Sequence, residues 1–148
     1  MSRVNSAQLP FSLLSCAHVL VDGIQSGMSA RGFDDLRPAH GFLFARVSGD
    51  GCTTSDIAAH LGVTKQAASQ MTDQLVESSY LERVENPRDK RSTLIMLTPK
   101  GVRATRAAEE CALAVYREWE STVGPEQLTQ MGEALAALAV PGRLRPLW

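Results

Sequence analysis

Residues 53–97 constrain the fold most, because two short helical periods meet there at a glycine corner and give way at once to strand alternation. Thr53-Thr54-Ser55-Asp56 is a capping-box pattern, in which a threonine hydroxyl and a carboxylate satisfy the free amides of a helix start. It predicts a short helix from Ser55 to His60. Gly62 suits the left-handed conformation that ends a helix, and Thr64 is a good N-cap for a second one running to about Ser78. In such a pair Ile57, Ala58, Leu61, Val63, Ala68 and Met71 fall on the inward positions, while Thr64, Lys65, Gln66, Ser69, Gln70 and Asp73 face outward. Leu81-Glu82-Arg83-Val84 and Thr93-Leu94-Ile95-Met96-Leu97 then flank the polar segment Glu85 to Ser92, which reads as a hairpin with a long charged tip.

The outward face carries what base edges in a major groove accept. Lys65 can donate to guanine, Gln66 or Gln70 can pair bidentately with adenine, and Thr64 or Ser69 can bind phosphate or base. The free amides at the helix start favour a phosphate as well. Solvated helix faces of interaction domains have a similar composition, so the hairpin adds the discriminating charge. Arg83, Arg88, Lys90 and Arg91 stand there against Glu85 and Asp89, a local excess on a chain whose formal charge is −1. A projecting arginine hairpin beside a reading helix reaches the adjacent minor groove, where narrow A·T-rich sequence deepens the negative potential. Arg91 has a second expected role, anchoring the hairpin through Asp73 or Asp89.

The flanks are helical by period. Leu9, Leu13, Cys16, Ala17, Leu20, Ile24 and Met28 recur at three- and four-residue steps, and Gly27 with the Gly32 region is expected to end that helix. Pro38 opens a second helix with Ala39, Phe42, Leu43 and Val47, closed by Gly49-Asp50-Gly51. Thr98-Pro99 launches a long helix with the stripe Val102, Thr105, Ala108, Ala112, Val115, Tyr116 and Trp119. Gly124-Pro125 breaks it, and Glu126 to Ala139 carries Leu128, Met131, Leu135 and Leu138 on one side. The tail from Pro141 to Trp148 has no period and no assigned role.

A chain of 148 residues suits one domain with one full core. The longest apolar run, Ala134 to Val140, falls far short of the roughly 20 residues needed to cross a bilayer. Arg3 followed by Phe11 to Val21 faintly resembles a secretion signal, but Ser12, Ser15 and His18 interrupt it and no Ala-x-Ala site follows. Three cysteines without paired spacing fit a reducing, cytoplasmic setting.

A helix-turn-helix followed at once by a hairpin is a winged helix, and the whole chain resembles the MarR family of bacterial transcription regulators. The residues that carry the resemblance are Asp56-Ile57-Ala58, Leu61-Gly62-Val63-Thr64-Lys65-Gln66-Ala67, Leu75, Tyr80-Leu81, Asn86-Pro87-Arg88-Asp89-Lys90-Arg91 and Leu97-Thr98-Pro99-Lys100-Gly101. The hairpin's Asp-x-Arg followed by Leu-Thr-x-x-Gly is the specific part. Ser79 departs from the family pattern where a glycine is common before the first wing strand, and Arg37 where a threonine often caps the second helix.

The resemblance implies a mainly α fold with a small β-hairpin wing, forming a single domain over residues 1–148. Within it, about 36–98 is the winged helix-turn-helix region, and about 8–28 and 99–140 are dimerisation helices. It implies a homodimer, packed through stripes containing Leu9, Leu13, Leu20, Trp119, Leu128, Leu135 and Leu138, that reads an approximate inverted repeat in double-stranded DNA. Thr64, Lys65, Gln66, Ser69, Gln70, Arg88, Lys90 and Arg91 are its expected DNA-binding residues. Family members respond to small aromatic ligands, to peroxides through a cysteine, or occasionally to metal.

Here a repressor released by a small-molecule effector is expected. The alternatives are redox sensing through Cys16 and a winged helix used only to bind protein. Cys16 lies on the apolar stripe without a neighbouring Lys or Arg, so a buried structural cysteine is the favoured reading, and Cys52 and Cys111 read as inert. His18, His40 and His60 lie on three different predicted helices, so neither metal nor other cofactor is expected. No catalytic motif stands out, and no enzyme activity is expected.

Overall fold

Proline and threonine set the helix starts. Pro38, Pro99 and Pro125 occupy first turns, where a missing N–H costs nothing. The hydroxyls of Thr53, Thr64 and Thr98 accept from the backbone N–H groups of Asp56, Ala67 and Gly101. A computed structural model of the chain, describing residues 7–140, accordingly contains α1 (Leu9–Ala30), α2 (Pro38–Val47), α3 (Thr54–Leu61), α4 (Lys65–Glu77), β1 (Leu81–Glu85), β2 (Thr93–Leu97), α5 (Pro99–Val123) and α6 (Pro125–Leu138). Arg3 and the tail 141–148 lie outside the described residues.

The corner and the wing follow the sequence reading. Gly62 takes the left-handed conformation at φ 66° after α3. β1 and β2 pair antiparallel with Leu81 opposite Leu97 and Glu85 opposite Thr93. Cys52 adds an isolated bridge, exchanging both backbone hydrogen bonds with Ile95, so the turn before α3 lies along the wing's sheet edge. Ser79, standing where the family often has glycine, does have a positive φ of 63°. A serine there is strained, and the turn around it is firmly pinned. Arg37 caps α2 differently from a threonine: its backbone N–H donates to His40 Nδ1 at 3.0 Å.

One core binds the elements, built on Leu43, Ile57, Ala68, Tyr80, Leu81, Ile95 and Ala104. Three expectations are corrected. Val63 is 40% exposed, because it sits in the turn after Gly62 and points away from the helix pair. The α5 stripe that enters the core is Gly101, Ala104, Ala107, Cys111 and Val115, while Val102 and Tyr116 are exposed. Gly27 does not end α1 but lies inside it, where a Cβ would come within 2.4 Å of Cys111 Sγ. Gly23 is equally tight against Val115. Small residues on α1 and α5 thus permit a close helix crossing, while Leu9, Leu13, Val102 and Tyr116 on the same helices face outward.

Among the described residues no helix is long and apolar enough to cross a membrane.

Candidate nucleic-acid interface

α4 presents its first two turns to solvent. Thr64, Lys65, Gln66 and Gln70 are exposed and Ser69 is half-buried, while Ala68, Thr72 and Leu75 hold the inner face. Thr72, which the sequence reading passed over, is buried only because its hydroxyl donates to Ala68 O at 2.7 Å, so a β-branched polar residue fills a core position. The side chains of Lys65, Gln66, Ser69 and Gln70 make no hydrogen bond to other described residues, which leaves them free for an external partner.

The wing tip is built by its own side chains. Asn86 is buried, accepts from Arg88 N at 3.0 Å and donates to Ser92 Oγ at 2.7 Å, while Asp89 Oδ1 accepts from Arg91 N at 3.0 Å. The reading of Arg91 as an anchor through Asp73 or Asp89 is corrected here. The Asp73 carboxylate pairs with Arg83 on β1, and Asp89 is occupied by the backbone of Arg91 itself. Arg83 therefore ties the wing to α4, and its charge is spent within the protein. Arg88, Lys90 and Arg91 are exposed, and their charged ends have no partner among the described residues. Free cations and free amide or hydroxyl groups thus occur together on the wing and α4.

Behind the interface Asp56 closes the α3 capping box, accepting from Thr53 N at 2.9 Å and Thr53 Oγ1 at 2.7 Å. These hydrogen bonds hold its carboxyl below the usual carboxylate range. Burial pushes the Cys52 thiol up, away from the reactive thiolate. Cys111 is buried too, with Arg31 Nη1 donating to its sulfur at 3.0 Å. Cys16 corrects an expectation: it is exposed, because the other described elements do not cover the α1 surface that carries it.

The expected dimerisation residues divide. Leu9, Leu13, Leu135 and Leu138 are exposed and Leu20 and Trp119 half-buried, whereas Leu128 is 4% exposed and packs within the chain. Sequence periodicity marks Leu128 and Leu135 as one stripe, and only the fold separates them. Sequence reasoning also missed a mainly apolar cleft of about 320 Å³ between α1, α2 and α5, lined by Val21, Ile24, Met28, Leu36, Phe44 and Ala108. Gln25 and Arg37 stand among these walls, and Gln25 Nε2 donates to Leu36 O at 3.0 Å. No spacing rule brings three such distant segments together.

Known proteins resemble this chain in sequence and in fold. The model of the MarR family matches residues 34–92, the segment from the loop before α2 to the wing. The uncharacterized protein Rv2011c of Mycobacterium tuberculosis is 31% identical over 98 residues, covering 66% of this chain and 68% of the relative. The HTH-type transcriptional regulator PetP of Rhodobacter capsulatus is 28% identical over 95 residues, 64% of this chain and 57% of PetP. Among solved structures, CouR from Rhodococcus jostii RHA1 bound to p-coumaroyl-CoA shares the fold, with a TM-score of 0.70 at 21% identity over 95% of this chain and 97% of CouR. A winged helix with an open polar face on α4 and a cationic hairpin, together with the match to this family model, places the chain in the MarR family of DNA-binding transcriptional regulators, which are not enzymes.

Proposed function

We propose that the protein is a homodimeric repressor, acting in the cytoplasm on an inverted-repeat operator and released when a small effector enters the α1–α2–α5 cleft. The observation that carries DNA reading is the joint freedom of Lys65, Gln66 and Gln70 on α4 and of Arg88, Lys90 and Arg91 on the wing. Thr64 and Ser69, at and beside the helix start, supply hydroxyls for the backbone. Base edges are read by α4 and the minor groove is gripped by the wing.

Dimerisation is supported by the apolar residues that α1, α5 and α6 leave uncovered, including Leu9, Phe11, Leu13, Leu135 and Leu138. A monomer gains nothing from exposing so many large side chains in neighbouring helices. The effector reading rests on the apolar cleft, and the binding of p-coumaroyl-CoA by CouR is compatible with an effector that has an apolar body.

The test is the affinity of the purified protein for its own upstream DNA and for a scrambled sequence, titrated across salt. Nanomolar binding with a preference of about a thousandfold is expected. Weak and equal binding to both, insensitive to salt, would instead indicate a protein-interaction module.

A further inference from the structure

The turn Ser78-Ser79-Tyr80 joins α4 to β1, and the start of α5 is fastened to it. Thr98 Oγ1 donates to Ser79 O at 2.6 Å, Thr98 N to Tyr80 O at 3.1 Å, and Lys100 Nζ to Ser78 O at 2.8 Å. Tyr80 N donates in turn to Leu75 O inside α4. A Cβ on Gly101 would meet Tyr80 O at 2.2 Å, so the two segments touch backbone to backbone. The end of α4, the wing root and the start of α5 are therefore fastened together at Tyr80.

Tyr80 does not line the cleft but packs its ring against Phe44, which does. It is 1% exposed, with its ring tilted against Phe33 and Phe44 at centroid distances of 6.3 and 5.9 Å, and Lys100 Nζ lies 4.0 Å from the ring centroid. Its hydroxyl donates to Asp35 Oδ1 at 2.7 Å, across to the loop between α1 and α2. Phe44 lines the cleft, and so does Leu36, the residue after Asp35. Burial, followed by the Asp35 hydrogen bond, pushes the phenol well above its usual range, so the hydroxyl keeps its proton and remains a donor.

We propose that Tyr80 is the positioning residue that couples occupancy of the cleft to the placement of α4 and the wing, with its hydrogen bond to Asp35 as the link. An occupant pressing on Phe44 and Leu36 displaces the ring and the Asp35 loop together. Close packing leaves the ring no room to absorb the shift, and the pinned turn passes it to the reading helix. The proposal rests on the effector reading of the cleft.

A permanent occupant replaces the unknown effector in the test. Ala108→Phe places a ring in the cleft, and affinity is read by fluorescence anisotropy on the DNA sequence that the wild-type protein selects from a random pool. The same substitution is then made in Tyr80→Phe and in Asp35→Ala, and each ratio is taken within its own background, so that changes in basal affinity cancel. Asp35 is exposed, which makes its variant the safer one for folding.

About a tenfold loss is expected from Ala108→Phe alone, within the usual range of coupling between sites, and less than about twofold in either second background. A tenfold loss in all three backgrounds would overturn the role of Tyr80 while leaving the effector cleft standing. No loss in the wild-type background would remove the effector reading of the cleft and the coupling with it.

Discussion

The two ends of the molecule solve the same burial problem differently. Around α3, α4 and the wing, large apolar side chains such as Ile57, Leu75, Leu81 and Ile95 are enclosed, and apart from Val63 the exposed side chains are mostly polar or charged. Around α1, α5 and α6, Ala104, Ala107, Cys111 and a few larger side chains such as Met28 and Leu128 are enclosed, while Leu9, Phe11, Leu135 and Leu138 face outward. A region that completes its own core can spend its surface on recognition, whereas a region with uncovered leucines needs a second surface to cover them. In the proposed function the first end faces DNA, and the helical end offers its uncovered leucines to a second copy of the chain.

The sharpest way to break this contrast is to shorten one side chain at each end. Ile57→Ala should cost about 2 to 5 kcal/mol of folding stability, as core truncations do, by the same amount at every protein concentration in urea melts. Leu138, 77% exposed within the chain, should behave oppositely. Leu138→Ala should leave a dilute sample nearly unchanged but shift the dimer–monomer equilibrium measured by sedimentation, as loss of an interface leucine does. If both variants are equally insensitive to concentration, the helical end is a finished surface and the contrast fails.

Smaller effects sharpen the account of the DNA-facing end. Gln66→Ala should weaken binding to the preferred operator by about 1 to 3 kcal/mol and binding to random DNA hardly at all, as measured by competition. An equal loss on both sequences would mean that Gln66 does not read bases. Arg91→Ala should act on both sequences alike. Its guanidinium has no partner among the described residues, so the plot of log affinity against log salt should flatten by about one unit.

Why the two ends differ in legibility follows from the range of the contacts involved. The helix pair at Gly62, the Thr53 to Asp56 capping box and the wing register of Leu81 with Leu97 are local, and local signals in sequence express them directly. The face of α5 that goes inward is decided by its crossing with α1, where Gly23 and Gly27 accept Val115 and Cys111. Periodicity cannot see that crossing, which is why the stripe from Val102 to Trp119 does not coincide with the face of α5 that enters the core. The same limit hid the cleft and the Tyr80 to Asp35 bond, whose partners lie 45 residues apart. For Arg91 the sequence offered two carboxylates, and its side chain pairs with neither, because Asp73 holds Arg83 and Asp89 accepts from the Arg91 backbone.

The smallest expected effect concerns α2, which lies between the two ends. His40 Nδ1 caps this helix as an acceptor, and burial, followed by the charge of Arg37, lowers the pKa of His40 below its usual value. Because the folded protein favours the neutral ring, this contribution is fully present above the unfolded value of about 6.5 and is lost as pH falls through the lower folded value. Melting temperature should therefore decline in mild acid, and His40→Gln should flatten that decline. A profile identical to wild type would show that the cap is energetically silent.

The central claim is that two copies of the chain, joined through α1, α5 and α6, read two half-sites at once. It is tested most directly with the selected operator and the same operator lengthened by about five base pairs between its half-sites, half a turn of the duplex. The account predicts that the insertion abolishes high-affinity binding while each half-site remains intact, because the second α4 then faces the wrong side of the DNA. Undiminished affinity would contradict it, since each chain would then be reading its half-site alone.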